Sequence, residues 1–259
     1  MKLIPAVLGI VLFLHSFAFA NIVEDAVEYK HKDTVLEGFI VYDNSIKKPM
    51  PVVVIVHQWK GLSENEKMRA RMFAKLGYVA FAADIYGKGV RPVDRKEAGE
   101  TAGIYRADRK LLVERVRAAL EKARSYPMSD KMKTAAVGYC FGGTAVLELA
   151  RAGNDALGVI SFHGNLDTPN PAVKKIKAKI QVHNGALDKA VPHNVIMDFE
   201  KEMNAAHADW HLVNYSGAVH SFTQKESGND ITTNSAYNAA ADRRSWGYAV
   251  KFLEEIFAL

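Results

Sequence analysis

The chain has a single cysteine, Cys140, and its neighbours have the pattern of a reactive nucleophile. Residues 135–139 have the composition of a buried strand, and the apolar residues after the cysteine are typical of a helix start. Gly138 and Gly142 stand two positions before and after Cys140. A sharp strand-to-helix turn needs small residues there, and it presents the nucleophile to the amides of a helix N-terminus. We therefore expect a reactive thiolate at Cys140 rather than an inert buried thiol.

A thiol with an ordinary pKa of about 8.5 is mostly protonated at neutral pH, so it needs a base, and the base needs an orienting acid. The chain order expected for this kind of turn is nucleophile, acid, histidine. Asp188 follows a predicted strand at 178–184, and His220 follows another at 210–215. We expect His220 to be the base and Asp188 the acid. Asp84 precedes the nucleophile, so we expect it to have a structural role in its loop.

An acyl-transfer site also needs two amide N–H groups that hold the developing oxyanion. The residue after the nucleophile, Phe141, is expected to supply one of them. Trp59, in the loop after a predicted strand at 51–57, is expected to supply the other. Its indole either forms a wall of the pocket or packs only in the core, and the sequence leaves both open.

Three further histidines, His57, His163 and His183, lie at or near the ends of predicted strands and raise the question of a metal site. No H-E-x-x-H or comparable ligand spacing accompanies them. We therefore expect neither a metal nor a cofactor.

Short apolar runs alternate with amphipathic segments from residue 51 onward, which is typical of a doubly wound, mostly parallel α/β sheet. The predicted strands, the first two forming an antiparallel pair, are 24–31, 35–42, 51–57, 78–86, 133–140, 156–163, 178–184 and 210–215. One predicted helix follows the capping box of Ser63 and Glu66, and one helix each is predicted over 95–125, 142–151, 194–206 and 237–257. About eight strands with interleaved helices result, and ligands bind such sheets at the carboxyl ends of the strands.

The composition is that of a globular protein with a large core, since 49% of the 259 residues are hydrophobic and 24% are charged. Disordered and collagen-like classes are excluded. No linker divides the chain, so we expect one domain over 21–259. The formal net charge is +5, but no recognition motif accompanies the lysines between 174 and 179, so we expect no nucleic-acid partner. The oligomeric state cannot be predicted from the sequence.

Residues 1–20 resemble a secretory signal peptide, because Lys2 precedes an apolar run that ends in Ala18-Phe19-Ala20. An N-terminal membrane anchor is the alternative, but the run is short for a span. We expect cleavage after Ala20, a periplasmic or secreted mature protein, and no membrane anchor after cleavage.

Taken together, these segments resemble the dienelactone hydrolase family, a cysteine-dependent branch of the α/β-hydrolases. The resemblance spans roughly 28–257 and rests on Gly138-Tyr139-Cys140-Phe141-Gly142-Gly143, the strand 52–57 followed by Gln58-Trp59-Lys60-Gly61, Asp84-Ile85-Tyr86-Gly87, and Val219-His220-Ser221-Phe222. It implies an α/β-hydrolase fold, a triad of Cys140, Asp188 and His220, and hydrolysis of a small lactone or ester without a cofactor.

The sequence departs from the family at Gln58, where the family has a glutamate that helps to deprotonate the thiol. An amide cannot accept that proton, so His220 must act alone. The substrate-binding arginines of the family correspond to Lys88 and Gln224, and only Lys88 can meet a carboxylate. We expect Gln58, Lys88, Tyr86 and Gln224 to contact the substrate.

The expected function is therefore an exported hydrolase that cleaves ester or lactone bonds through an acyl-cysteine. Two alternatives stay open. One is a carboxylesterase or thioesterase with an unrelated substrate. The other, motivated by Gln58, is a non-catalytic ligand-binding protein on the same fold.

Overall fold

The computed structural model describes residues 21–153 and 156–258, so the predicted signal peptide over residues 1–20 lies outside the described residues. The described strands form one eight-stranded sheet in the order β1-β2-β4-β3-β5-β6-β7-β8. The strands are β1 Ile22–His31, β2 Thr34–Asp43, β3 Met50–Val56, β4 Val79–Ala83, β5 Ser129–Tyr139, β6 Gly158–Phe162, β7 Lys179–Gly185 and β8 Trp210–Tyr215. The pairs β1–β2 and β2–β4 are antiparallel, and the other neighbours are parallel. The prediction of a mostly parallel α/β sheet is confirmed.

Helices cover both faces of this sheet, as a parallel sheet requires. They are α1 Glu64–Ala74, α2 Arg95–Ala107, α3 Arg109–Arg124, α4 Phe141–Ala152, α5 His193–Ala205 and α6 Ala239–Phe257, with 3₁₀ turns at Lys225–Ser227 and Ile231–Thr233. Apolar residues of α2 to α5 pack on one face, and those of α1 and α6 pack on the other. The central strand β3 is buried on both faces, which explains its uninterrupted apolar sequence from Val52 to Val56. None of the described helices is both long and apolar enough to cross a membrane.

The segment 95–125, which the sequence presents as one amphipathic stretch, forms two helices instead. Asp108 ends α2 with a non-helical backbone (φ −115°, ψ 83°), and its side chain accepts a hydrogen bond from the Leu111 amide at the start of α3. The first amides of a helix have no partner within the helix, and the Asp108 side chain supplies one at the start of α3. This cap stabilises the break between the two helices. α2 is therefore free to take its own direction near the carboxyl ends of the strands.

The strand order places a switch point between β3 and β5. The chain leaves β3 to form β4 on one side, and it returns to form β5 on the other side of β3. Loops that leave adjacent strands in opposite directions open a crevice at the carboxyl ends, where ligands of such folds bind. Residues 57–59 follow β3 and Cys140 follows β5, so both predicted oxyanion donors and the predicted nucleophile lie at this crevice.

Candidate active site

Cys140 occupies a tight turn between β5 and α4. Its φ of 54° lies in the left-handed region, which a residue with a side chain rarely adopts. Such a conformation persists only where the surroundings hold it. Here the Cys140 N–H donates to the Phe162 carbonyl oxygen at 2.9 Å and to Nδ1 of His163 at 3.1 Å. The turn places the thiol before the first amides of α4, where the helix dipole favours a negative charge.

The two glycines that bracket Cys140 stand where a side chain would collide with backbone. A Cβ at Gly138 would lie 1.9 Å from the carbonyl oxygen of Gly142, and a Cβ at Gly142 would lie 2.2 Å from that of Val56. Atoms that are not bonded to each other cannot approach so closely. Both glycines therefore allow the turn to close and bring α4 against the end of β3.

The structure brings Cys140, Asp188 and His220 together in one hydrogen-bonded row. His220 Nε2 lies 3.0 Å from Cys140 Sγ, and His220 Nδ1 lies 2.7 Å from Asp188 Oδ2. The other carboxylate oxygen of Asp188 accepts from the Ala190 amide at 2.9 Å and from Asn234 Nδ2 at 3.2 Å. The acid is thus fixed on both sides, and the imidazole it holds is aimed at the sulfur.

The charges of this row favour a thiolate beside an imidazolium. Burial raises the pKa of the Cys140 thiol, but the positive charge and hydrogen bond of His220 and the Phe141 amide outweigh it, so that pKa is lowered. Burial lowers the pKa of His220, yet the charge of Cys140 and the hydrogen bond to Asp188 raise it to about 10. Both shifts have the same origin, the attraction between the two ionised groups. His220 can therefore activate the thiol without a second base.

The two predicted oxyanion donors, the amides of Phe141 and Trp59, follow β5 and β3. The Phe141 amide is close enough to Cys140 to stabilise the negative charge on sulfur. Trp59 lies three residues after β3, and its carbonyl oxygen accepts a hydrogen bond from the Tyr86 hydroxyl at 3.0 Å, which fixes the peptide unit that follows Trp59. The Trp59 indole is partly buried against the core and also faces Arg95, whose guanidinium carbon lies 5.7 Å from the ring centroid. The indole is therefore not confined to the core, although part of it packs there.

The histidines at the strand ends are buried, and each has its own hydrogen-bond partner. His57 Nε2 accepts from the Ile85 amide at 3.1 Å, and His183 Nδ1 lies 2.8 Å from the Tyr215 hydroxyl. His163 contacts the Cys140 backbone and packs edge to face on His220, with ring centroids 5.2 Å apart. Across residues 21–153 and 156–258, no group of three or more His, Cys, Asp or Glu side chains is arranged to hold a metal ion.

Asp84 is fully buried, and its carboxylate organises its own loop. It accepts from the amides of Glu37, Tyr86 and Gly87 at 3.1 to 3.2 Å. These contacts match the structural role expected from its place before the nucleophile. Tyr86, which the loop carries, reaches Trp59 with its hydroxyl, and its phenol is near enough to Cys140 for the two groups to interact electrostatically.

A cavity of about 640 Å³ opens at the loops that follow β3 and β8, and both glutamines expected at the substrate line it. Gln58 and Gln224 stand there with Trp59, Ser221 and Arg95. Lys88 is elsewhere: its ammonium group pairs with two glutamates of the β1–β2 hairpin, Glu28 and, at 3.4 Å, Glu37.

The lysine expected from the family pattern is thus engaged at the sheet edge. Among the described residues that line the cavity, the cations are Lys60 and Arg95. A third cation, Arg106 of α2, lies close enough to Cys140 for its charge to lower the pKa of the thiol. The arginines of α2 were missed from the sequence because their placement depends on how that helix packs.

A buried carboxyl group, Glu66, lies directly behind Gln58. Glu66 Oε1 is 3.4 Å from Gln58 Nε2, while its Oε2 accepts from the Ser63 amide and hydroxyl at 3.0 and 2.7 Å. Burial raises the pKa of this carboxyl. The sequence identified Glu66 only as half of a capping box, which the structure confirms, and its position next to the site follows from the docking of α1.

Comparisons with known proteins show which family the chain belongs to. The model of the dienelactone hydrolase family matches residues 36–257. An uncharacterised protein of Caenorhabditis elegans is 40% identical over 148 residues, which cover 56% of this chain and 93% of that protein. The carboxymethylenebutenolidase of Pseudomonas putida is 28% identical over 152 residues, which cover 56% of this chain and 64% of the enzyme.

A crystal structure of a dienelactone hydrolase-like promiscuous phosphotriesterase from metagenomic libraries is 31% identical to the chain. It superposes with a TM-score of 0.85 and covers 92% of this chain and 99% of that one. The family match extends over most of the chain, from β2 to the end of α6, and includes all of the site described above. The chain therefore belongs to the dienelactone hydrolase family of α/β-hydrolases.

Proposed function

We propose that this hydrolase of ester or lactone bonds is exported and uses Cys140 as its nucleophile, with an acyl-cysteine intermediate. The observation that carries the proposal is the row in which His220 Nε2 lies 3.0 Å from Cys140 Sγ and His220 Nδ1 lies 2.7 Å from Asp188. A nucleophile, a base and an orienting acid within hydrogen-bond distance form the arrangement needed for covalent acyl transfer.

In the first half of the reaction, the Cys140 thiolate attacks the carbonyl carbon, and the amides of Phe141 and Trp59 hold the oxyanion. The carbon–oxygen bond of the ester or lactone breaks, and the leaving oxygen takes the proton of the His220 imidazolium. In the second half, His220 removes a proton from water while the hydroxide attacks the thioester. The carbon–sulfur bond then breaks and restores the thiolate, with His220 protonated again.

The substrate class follows from the nucleophile and from the cavity. A thiolate is a better leaving group than an amine, so the tetrahedral intermediate of an amide would return to substrate. Enol lactones and aryl esters, whose leaving oxygens depart easily, fit this nucleophile better. Arg95 lines the cavity, so a carboxylate on the substrate has a guanidinium group to meet. We propose a small, activated ester or lactone that bears a carboxylate.

A phosphotriester is a second candidate substrate. The metagenomic enzyme at 31% identity is described as a promiscuous phosphotriesterase, and its structure covers nearly the whole of this chain. A thiolate with two amides beside it can attack phosphorus as well as carbon, since both reactions place negative charge on a neighbouring oxygen.

The proposal is tested by hydrolysis of p-nitrophenyl acetate, cis- and trans-dienelactone and paraoxon by a chain that begins at Asn21, with Cys140→Ala in parallel. We expect turnover of the activated esters by the wild type and none by the variant. In Arg95→Gln we expect a higher KM for the dienelactones and an unchanged KM for the neutral acetate. If neither protein turns over any substrate while both are stabilised by the same ligand, the non-catalytic alternative is correct.

Export is tested separately. Expression of the full chain in a bacterium, followed by N-terminal sequencing of the periplasmic protein, should show Asn21 as the first residue, because Ala18-Phe19-Ala20 has the form of a signal-peptidase site. A full-length product that begins at Met1 in the cytoplasm would contradict this part of the proposal.

A further inference from the structure

Four neighbouring strands each supply one residue to the site. Cys140 follows β5, His163 follows β6, Asp188 follows β7 and His220 follows β8, and these strands are adjacent in that order. The nucleophile and its base therefore come from strands that have two others between them. His163 is the member that the mechanism above does not use, although it is fully buried and touches both.

The contacts of His163 join Cys140 to His220, the two residues that we call the dyad. Its Nδ1 accepts a hydrogen bond from the Cys140 amide at 3.1 Å, so the proton of the neutral ring is on Nε2. Nε2 then donates to the Thr223 hydroxyl at 2.8 Å, three residues after His220. The ring also lies edge to face against His220 and Phe222, with centroids 5.2 Å away in each case.

We propose that His163 is a positioning residue that couples the place of the Cys140 sulfur to the place of the His220 ring. One end of its imidazole fixes the backbone of the strained nucleophile turn, and the other end fixes the loop that carries the base. The proposal rests on the cysteine mechanism proposed above. A shift at either end changes the 3.0 Å separation between Sγ and Nε2, and with it the stability of the thiolate.

The surroundings of His163 keep it neutral. Burial is the largest cause and lowers its pKa well below the ordinary value, and the positive charges of His220 and Arg69 act in the same direction. A neutral ring keeps the lone pair that the Cys140 amide needs, and it does not compete with His220 for the proton of the thiol. The backbone of His163, with φ of 41°, is itself in the left-handed region, and its N–H donates to the carbonyl oxygen of His183 at 2.8 Å.

The test uses alkylation by iodoacetamide, because Cys140 is the single cysteine of the chain and the rate against pH gives the pKa of one thiol. Thr223→Val removes the hydroxyl but keeps the shape of the side chain, and Thr223→Ser is its matched control. His163→Asn suits a left-handed backbone and retains an oxygen for the Cys140 amide, but it is too short to reach Thr223. His183→Asn changes an equally buried histidine that has no contact with the dyad.

We expect Thr223→Val and His163→Asn each to raise the pKa of the thiol by about one unit, which leaves roughly tenfold less thiolate at neutral pH. Thr223→Ser should keep the wild-type profile. The double variant should be no worse than either single variant, because both remove the same link. His183→Asn should lose thermal stability without a change in the pH profile.

Wild-type profiles in both single variants would overturn the proposal, as would effects that multiply in the double variant or an equal shift in His183→Asn. If His163→Asn does not fold, Thr223→Val and Thr223→Ser decide alone. An unshifted thiol pKa in the wild type would overturn the cysteine mechanism itself. A lowered pKa in the wild type that no variant changes would overturn only the role of His163.

Discussion

At the scale of single residues, the site depends on one imidazole that is held from both sides. Asp188 accepts from Nδ1 of His220, and this contact leaves Nε2 free to take the proton of the thiol. The carboxylate also stabilises the imidazolium that results. The pKa of Asp188 is lowered because the hydrogen bond and charge of His220 outweigh the opposing effect of its burial. The acid therefore remains ionised at neutral pH.

Asp188→Asn tests this contact. The amide is neutral and can turn its NH2 group toward the ring, which selects the wrong tautomer, so we expect kcat on activated esters to fall by at least about 100-fold. Asn234→Ala removes a partner of the other carboxylate oxygen and should reduce kcat only a few-fold. Steady-state kinetics on p-nitrophenyl acetate provide the comparison. Equal losses in the two variants would show that the carboxylate acts only by holding its loop.

Gln58→Glu restores the residue expected from the family and tests the buried carboxyl behind it. The new carboxylate would lie about as near to Glu66 as Gln58 Nε2 does now, at 3.4 Å. Two buried carboxyl groups at this distance cannot both ionise without a cost, so the pKa of at least one rises further above its value in the unfolded chain. A protein with a carboxyl group whose pKa is higher in the folded state than in the unfolded chain becomes less stable as the pH increases past the unfolded pKa of about 4.3.

We therefore expect the melting temperature of Gln58→Glu to fall below that of the wild type by more at pH 8 than at pH 5. Gln58→Glu combined with Glu66→Gln again pairs one carboxyl with one amide and should recover most of the loss. Thermal melts of both variants at the two pH values give the answer. A difference that does not change with pH would mean that the two groups do not interact.

The residues of the row could be predicted from the sequence because their signals are local. A glycine bracket marks Cys140, and strand ends followed by an acid and a histidine mark Asp188 and His220. The cation of the cavity could not be predicted in this way. Lys88 has the expected place in the chain, but two glutamates on a neighbouring hairpin engage its ammonium group. The ion pairs of Lys88 can be known only once the position of the β1–β2 hairpin in the fold is known.

At the scale of elements, the turn between β5 and α4 depends on close approach of backbone. A Cβ at Gly142 would lie 2.2 Å from the carbonyl oxygen of Val56, so Gly142→Ala must push α4 away from β3. We expect a loss of about 2 kcal/mol or more in the free energy of unfolding, together with loss of turnover. Gly99→Ala is the control, because that position lies within α2 with no atom near a new Cβ. It should stabilise the protein by about 0.5 to 1 kcal/mol.

Urea denaturation and ester hydrolysis of the two variants check this expectation. A Gly142→Ala protein with wild-type stability would mean that the turn yields easily, and the strain argument at Cys140 would fail with it.

The strands and most helices were predictable because hydrophobic periodicity and capping signals are local in sequence. The break at Asp108 was missed because both flanking segments keep an apolar face, and only the cap of one aspartate separates them.

At the scale of the whole molecule, Arg69 connects three parts that meet near the site. Its guanidinium donates to Asp242 of α6 at 2.8 Å and to the carbonyl oxygen of Thr223, in the loop of the base, at 3.0 Å. It also lies 5.6 Å from the ring centroid of Tyr139 and 5.8 Å from that of Trp246. The side chain is 5% exposed, so this ion pair is largely shielded from solvent.

Arg69→Met should reduce the free energy of unfolding by about 3 kcal/mol, because it leaves Asp242 without its cation in a poorly hydrated place. Arg69→Met combined with Asp242→Asn should recover part of that loss, since no uncompensated charge then remains. Denaturation in urea measures both variants against the wild type. Additive losses in the double variant would indicate that the two residues stabilise the fold separately.

The spacing of the row along the chain has a consequence for refolding. Cys140 and His220 are 80 residues apart, and each stands at the end of a different parallel strand. Pairing of distant strands is slow, because the entropy of closing long loops is lost before the contacts form. The central strands can therefore assemble while the thiol still lacks its base, and β8, at the sheet edge, completes the dyad. Recovery of most of the native far-ultraviolet circular dichroism should precede recovery of catalysis, so regained activity is a late marker of a finished fold.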